Sequence, residues 1–194
     1  QIVRLPKLKM KDELMEKYKY PELTDEIKDQ ILGLNAAKLF GNVHDVGTRG
    51  LSAVLLTSDS GHILIDAGLP ESAEPIMASI RALGFRVEDV RLIVTSHAHY
   101  DHAGGVAAIQ RASGARVAAS ASSAHVLALG NVERDDPQYE IHLAYPAVTG
   151  TKVEVFEDGD TLRVGPLAIT AHLTPGHTPG GTSWSWRACE GSEW

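Results

Sequence analysis

The most informative segment of the sequence reads Val90-Arg91-Leu92-Ile93-Val94-Thr95-Ser96-His97-Ala98-His99-Tyr100-Asp101-His102. Its first half is apolar and β-branched, which predicts a buried strand over Val90 to Thr95. Its second half places three imidazoles and one carboxylate directly after that strand. Loops at strand ends often carry function, and zinc takes imidazole nitrogen and carboxylate oxygen as ligands. The segment therefore predicts a metal site rather than a solvated, histidine-rich loop.

A second histidine-bearing segment reads Thr174-Pro175-Gly176-His177-Thr178-Pro179-Gly180-Gly181. The prolines and glycines around His177 predict a rigid turn that presents one imidazole at a strand end. A lone histidine in a turn is more often structural than metal-binding, but the first cluster reverses that expectation. His177 can complete a three-imidazole site with His97 and His99, with the open fourth position that is typical of catalytic zinc.

The segments around these motifs alternate between predicted strands and helices. Strands are predicted over residues 52–57, 62–66, 116–119, 152–156, 161–164 and 167–173, and helices over residues 71–83, 106–113 and 122–129. Short turns rich in glycine and aspartate separate several of them, as at Asp59-Ser60-Gly61. This pattern predicts an α/β (α+β) domain over residues 42–194.

Residues 1–41 form a separate segment with mixed charges and helical periodicity. Pro21 interrupts the periodic run, and Thr24 is a predicted N-cap with Asp25 and Glu26 in the first turn. We therefore expect a helical N-terminal extension made of two short helices.

The composition limits the classes of protein that the chain can belong to. Of its 194 residues, 43% are hydrophobic and 22% are charged, as in a soluble globular protein. The net charge of -7 argues against a nucleic-acid-binding groove, and no apolar run approaches membrane-spanning length. The first residues show no signal-peptide pattern, so an export signal was either removed or never present. The single cysteine, Cys189, cannot form an internal disulfide.

The metal motif and its flanks resemble the metallo-β-lactamase superfamily, whose hallmark is His-x-His-x-Asp-His. The segments Gly47 to Ala53, Gly61 to Ser72 and Thr174 to Trp186 are similar to the third subclass of metallo-β-lactamases, and the resemblance covers about residues 42–187. It implies an αββα sandwich with two zinc ions in a groove at its edge. It also implies a periplasmic location and a small-molecule β-lactam substrate, hence antibiotic resistance.

The resemblance assigns roles to residues by position. His97, His99 and His177 would hold the first zinc, and Asp101 and His102 would hold the second. The implied reaction is hydrolysis of the β-lactam amide bond by a metal-bound hydroxide that the catalytic Asp101 orients.

Further residues are assigned by the same resemblance or by their surroundings. Asp66 matches the family's aspartate at the end of the second strand, which supports the metal loop. No covalent serine intermediate is needed, so Ser122, Ser123 and Ser183 receive no role.

The sequence departs from the family pattern after His177, because the family needs a later histidine for the second zinc and none follows here. The resemblance therefore predicts a sandwich that is truncated at its C-terminal end and a second zinc that binds weakly or not at all. We also expect an uncovered apolar face and an unpaired strand edge, which favour association. A homo-oligomer or swapped dimer would supply the missing pieces.

Residues 24–41 resemble the closing helices of the TIM-barrel amidohydrolases, but they contain none of that family's metal ligands. No activity is transferred from this shorter match. Two interpretations of the N-terminal segment stay open: a chimera, and a plain helical extension.

Two alternatives to β-lactam hydrolysis also stay open. One is another hydrolase of the same fold, acting on a thioester such as hydroxyacylglutathione or on a lactone. The other is a non-catalytic, zinc-binding chimeric fragment.

The remaining histidines and aromatic residues receive structural interpretations. The histidines predicted to be structural or surface residues are His44, His62, His125, His142 and His172. Trp184 and Trp186 alternate along a strand and are predicted to pack in the core. Tyr100 is a candidate for lining a substrate pocket.

Overall fold

The computed structural model describes residues 41–187. Nearly all of the predicted helical extension over residues 1–41, together with Cys189, lies outside the described residues. The strands are β1 (Val43–Asp45), β2 (Val54–Leu56), β3 (His62–Ile65), β4 (Val90–Val94), β5 (Arg116–Ala119), β6 (Glu154–Val155), β7 (Thr161–Val164), β8 (Leu167–Leu173) and β9 (Thr182–Trp186). The α-helices are α1 (Ala73–Ala82), α2 (Tyr100–Ala103), α3 (Val106–Ser113) and α4 (Ala121–Leu129), with short 3-10 turns at Pro70–Ser72, Val87–Asp89 and Tyr139–Ile141.

The larger sheet has six strands in the order β1-β2-β3-β4-β5-β6. Its first three strands pair antiparallel, and the pairs from β3 to β6 are parallel. All four residues of β3 and all but one of β4 are buried, because both faces of the sheet are covered. The parallel arrangement brings the carboxyl ends of β3 and β4 to the same edge, where the metal motif begins.

Helices cover one face of the larger sheet. Ile76 and Ile80 of α1 and Ile109 of α3 share a buried cluster with Leu64 and Ile93 of the sheet. The spacing of Ile76 and Ile80 places both side chains on one stripe of α1, as an amphipathic helix requires. Helix α3 ends where the following glycine turns the backbone left-handed, with φ +71°.

The second sheet packs on the other face of the first. It has three antiparallel strands in the order β7-β8-β9. Ile63 and Leu92 of the larger sheet share a second buried cluster with Ile169 and Ala171 of β8. A helical layer, a six-stranded sheet and a three-stranded sheet therefore account for three of the four layers expected of an αββα sandwich.

The outer face of the three-stranded sheet is polar. Register and alternation place on this face Thr161, Arg163, Ala168, Thr170, His172, Ser183 and Ser185, all exposed or half-buried. Hydroxyl and imidazole groups bond across the strands, for example Thr161 to Thr170 at 3.0 Å between their hydroxyl oxygens. The expectation of an uncovered apolar face is therefore wrong for this sheet, because its strands alternate apolar-inward and polar-outward. Within residues 41–187, β9 pairs only with β8, as the expected unpaired edge requires.

Most predicted segments match the structure to within one or two residues, and those at 106–113, 116–119, 161–164 and 167–173 are confirmed at both ends. Strand β1 was not predicted, because a three-residue strand carries too little alternation to detect. The predicted strand over 152–156 is shorter than expected, pairing only at Glu154–Val155. Among the described helices, none is both long and apolar enough to cross a membrane.

Candidate metal centre

Two loops meet at one edge of the sandwich and bring the histidine motifs together. Residues 95–99 follow β4 of the larger sheet, and residues 174–181 connect β8 to β9 of the smaller sheet. The first residue of β9, directly after the second loop, is joined to the first loop by a backbone hydrogen bond from the Thr182 amide to the Ser96 carbonyl at 2.8 Å. The site therefore draws its side chains from both sheets.

The first candidate group consists of His97, His99 and His177. One ring nitrogen from each lies within 4.8 Å of the others. Nδ1 of His99 and Nε2 of His177 are only 3.1 Å apart. His99 is 1% exposed, whereas His177 is exposed, so the group is anchored in the core and open on one side.

The second candidate group consists of His97, Asp101 and His102, again with one ligand atom from each within 4.8 Å. Asp101 and His102 lie on α2, which starts directly after His99. Their side chains are 46% and 27% exposed, and Oδ2 of Asp101 lies 3.8 Å from Nε2 of His102. His97 thus belongs to both groups, so the described residues place the two predicted sites side by side.

Asp66 forms hydrogen bonds to the metal loop at Ser96 and to His102, as the family resemblance implies. Its carboxylate accepts hydrogen bonds from the Ser96 amide at 2.7 Å and from the Ser96 hydroxyl at 2.8 Å. It also accepts one from Nδ1 of His102 at 2.9 Å. The residue adopts φ +63°, a left-handed conformation that is costly for a side chain other than glycine and is found where surroundings enforce it.

The Ser96 hydroxyl extends this support to His97. Because the hydroxyl gives its proton to Asp66, its oxygen is left to accept from Nδ1 of His97 at 3.1 Å. A proton on Nδ1 leaves the lone pair of a neutral His97 on Nε2. The chain from Asp66 through Ser96 therefore fixes which nitrogen His97 can offer to a metal.

Asp136 was not selected from the sequence, yet it contacts the most buried histidine of the site. Nε2 of His99 lies 2.9 Å and 3.0 Å from the two carboxylate oxygens of Asp136. The Asp136 side chain is only 8% exposed. Its surroundings in the sequence, Glu133 to Pro137, read as a charged loop, and an aspartate before proline signals only a turn.

The pKa values of two histidines of the site differ from the ordinary value of 6.5. Burial, followed by the charges of His102 and His99, lowers the pKa of His97 to about 4. Burial also opposes protonation of His102, but the hydrogen bond and charge of Asp66 outweigh it, so the net pKa is raised. His97 is therefore neutral near pH 7 and able to donate a lone pair.

The histidines predicted to be structural lie away from the two groups. His172 bonds Ser185 across the outer face of the small sheet, and His125 pairs with Glu133. His44 and His62 both pack against the Phe85 ring, with centroid distances of 5.2 and 5.0 Å.

The aromatic residues predicted from the sequence pack within the fold. Tyr100 packs against the helical-layer core, with its ring 6.4 Å from that of Tyr145. Trp184 and Trp186 are half-buried and point inward toward the cluster between the sheets.

The chemistry of the donor set suits zinc. Two imidazole nitrogens at 3.1 Å need a cation or a proton between them, and a carboxylate behind His99 is the usual partner of a metal-ligating histidine. Three imidazoles with one open side match the arrangement of catalytic zinc sites. His97, His99 and His177 are thus the residues that could hold a first ion, with Asp101 and His102 beside it.

Comparisons with known proteins agree with this geometry. A family model described as the metallo-beta-lactamase superfamily matches residues 46–190. The solved Rm3 metallo-beta-lactamase is 57% identical, with a TM-score of 0.77 over 80% of this chain and 57% of that one. MEM-A1, a subclass B3 metallo-beta-lactamase isolated from a soil metagenome library, is 51% identical, with a TM-score of 0.76 over 80% of this chain and 58% of that one.

A relative with a different activity in its name is also similar. The hydroxyacylglutathione hydrolase of Cereibacter sphaeroides is 35% identical over 112 residues, which cover 58% of this chain and 34% of the relative. The chain therefore spans about a third of the length of that relative and under three fifths of the two solved lactamases. The match over residues 46–190, together with two solved lactamases that share this fold at more than half sequence identity, shows that the chain belongs to the metallo-β-lactamase superfamily.

Proposed function

We propose that this chain is a zinc-dependent hydrolase of the β-lactam amide bond, of subclass B3 type. The observation that supports the proposal most directly is the convergence of His97, His99 and His177, with two ring nitrogens 3.1 Å apart and one open side. The identity of 51% and 57% to solved metallo-beta-lactamases supports the choice of substrate class. When bound, zinc supplies Lewis-acid chemistry that polarises the scissile carbonyl and activates water.

The residues of the chain contribute orientation and proton handling. Asp66, through Ser96, holds the Nδ1 proton of His97 away from the site, so the Nε2 lone pair faces inward. The carboxylate of Asp101 is 46% exposed at the rim. From there it can accept a hydrogen bond from the attacking water and direct its lone pair toward the carbonyl carbon. We assign Asp101 the catalytic role on this basis.

A second ion would be held by Asp101 and His102 beside the first. His102 donates its Nδ1 proton to Asp66, which leaves Nε2 for a metal. Two protein ligands give weaker binding than three, so we expect the first group to fill before the second. A role in antibiotic resistance and a periplasmic location follow for the whole protein if it is such an enzyme.

The test is hydrolysis of a chromogenic cephalosporin by the purified chain with added zinc, against a chelator-treated sample. We expect zinc-dependent turnover that His177→Ala abolishes. His172→Ala is the matched control, because His172 lies near the same loop but bonds Ser185 on the outer face. No turnover by a folded, zinc-loaded sample would refute β-lactamase activity for this chain.

Thioester hydrolysis is the second candidate, because the Cereibacter sphaeroides relative is a hydroxyacylglutathione hydrolase. The same zinc group and the same Asp101 would serve attack on a thioester carbonyl. The two functions are separated by giving one zinc-loaded sample the cephalosporin and a hydroxyacylglutathione in parallel. A higher kcat/KM for the thioester would assign the chain to this second function.

A further inference from the structure

We infer that Asp136 is a positioning residue for the candidate metal centre, setting which nitrogen of His99 faces the ion. Neither residue spacing nor the family motif singles out Asp136. Because this role presupposes the proposed zinc site, its test measures metal binding and needs no substrate.

The geometry around His99 determines which of its two ring nitrogens carries the proton. Both oxygens of the Asp136 carboxylate lie within 3.0 Å of Nε2 of His99. An ionised carboxylate only accepts hydrogen bonds, so Nε2 must carry a proton. The lone pair of a neutral imidazole is then on Nδ1, which is the atom 3.1 Å from Nε2 of His177. Asp136 thus points the donor atom of His99 into the three-histidine group.

Because His99 and Asp136 are buried, each depends on the other for its hydrogen bond. The side chains of His99 and Asp136 are 1% and 8% exposed, so water does not compete freely for either group. A buried carboxylate without a partner is strongly unfavourable, and the same holds for a buried imidazole N–H. The ring of His99 is therefore held against rotation before any ion arrives, which lowers the cost of binding one.

Asp136 is itself held in place by its own loop. Its carboxylate accepts the Gln138 amide proton at 2.8 Å, and its own amide donates to the Glu133 carbonyl at 3.0 Å. The loop is also fixed to the metal segment further on, where the Tyr145 hydroxyl donates to the Ala98 carbonyl at 2.8 Å. The carboxylate is thus presented by a preorganised turn rather than by a free side chain.

A purely structural role makes a different prediction. If Asp136 only satisfied a buried histidine, its removal would lower folding stability and leave the zinc affinity of the folded protein unchanged. If it orients His99, the zinc dissociation constant must rise. Partners of this kind typically change metal affinity by about 10–100-fold.

The experiment compares Asp136→Ala and Asp136→Asn with Asp135→Ala, an exposed neighbouring carboxylate, in the full chain. Zinc dissociation constants are measured by competition with a chromophoric chelator, and the cobalt-substituted proteins are compared by their visible absorption. We expect Asp136→Ala to bind zinc about 10–100-fold more weakly with an altered cobalt spectrum, and Asp135→Ala to match the unaltered chain. Asp136→Asn keeps an acceptor oxygen without the charge, so its affinity should lie between the two.

The outcomes separate this role from the proposed function. Unchanged zinc affinity and an unchanged cobalt spectrum in folded Asp136→Ala would overturn the inference alone. Absence of zinc binding by the unaltered chain would overturn both the inference and the proposed function. Weaker zinc binding in the Asp136 variants would support the inference even if no cephalosporin were hydrolysed.

Discussion

Gly105 lies directly against the strand end that carries Asp66, so Gly105→Ala tests how tightly the metal loop is packed. A Cβ at Gly105 would lie 2.3 Å from the carbonyl oxygen of Ala67, the residue after Asp66. The backbone of Gly105 has φ -83°, which alanine adopts without strain. The whole effect of the substitution is therefore steric and falls on backbone that cannot rotate away.

The size of the effect follows from that distance. A carbon and an oxygen in ordinary contact are separated by more than about 3 Å, so the two segments must part by roughly 1 Å. Overpacking of this kind costs about 1–3 kcal/mol and occasionally more. Because Ala67 adjoins Asp66, the displacement also disturbs the hydrogen bonds that orient His102, and zinc affinity should fall with stability.

Gly114→Ala is the matched control, because Gly105 and Gly114 lie at the two ends of α3. Gly114 has φ +71°, and an added methyl group there would meet no neighbouring atom within 4 Å. Its cost is backbone strain alone, about 1–2 kcal/mol, and it should leave zinc affinity unchanged. Urea unfolding followed by circular dichroism, with zinc titrations on the folded variants, measures both quantities. Equal zinc affinity in the two variants would refute the claim that Gly105 packing holds the metal loop.

Three further predictions concern the support of the site, the buried His62 and the metal. Asp66→Ala and Asp66→Gly both lose the three hydrogen bonds of the carboxylate, but only glycine adopts φ +63° freely. The glycine variant should therefore have the higher free energy of unfolding in urea, by about 1–2 kcal/mol. Equal stability of the two variants would contradict backbone strain at this residue. Burial lowers the pKa of His62 below 6.5, so the unfolded chain takes up this proton first as pH falls, and stability that is present above about pH 6.5 is lost toward the lower folded pKa. His62→Gln should reduce the difference in urea midpoint between neutral and mildly acidic pH, and an unchanged difference would contradict a lowered pKa of His62 in the folded state. Zinc at about 100 times its dissociation constant should stabilise the unaltered chain by about 2.7 kcal/mol, and a chelator should remove this stabilisation. The chelator should leave the stability of His177→Ala unchanged. An unchanged thermal midpoint of the unaltered chain on chelation would contradict metal binding by the folded state.

The fold was largely predictable because its elements have strong patterns. The apolar run of β4 and the alternation in β8 each specify strand and buried face, and both were confirmed. The expectation of an apolar outer face was wrong because it came from the family's layer order and not from the residues. Along β8 and β9, Thr170, His172, Ser183 and Ser185 all fall on one side and predict a polar face.

The candidate site was predictable only where chemistry and spacing coincide. The histidines after β4 and in the loop after β8 are conspicuous in the sequence, and the structure brings them within reach of one another. Asp136 carries no such signal, because it is one of several acidic residues in a polar loop that follows α4. Its contact with His99 depends on where that loop packs, and this is a property of the tertiary structure.

The indole of Trp184 has a consequence for how this protein can be observed. Its Nε1–H donates to the Thr95 carbonyl at 3.2 Å, two residues before His97, and its ring meets Phe156 edge-on at 5.0 Å. A small shift of the histidine loop therefore changes both the hydrogen bond and the polarity around this indole. Trp184 is one of three tryptophans in the chain, so we expect part of the ultraviolet emission to change when the site is occupied, without a dye or a substrate.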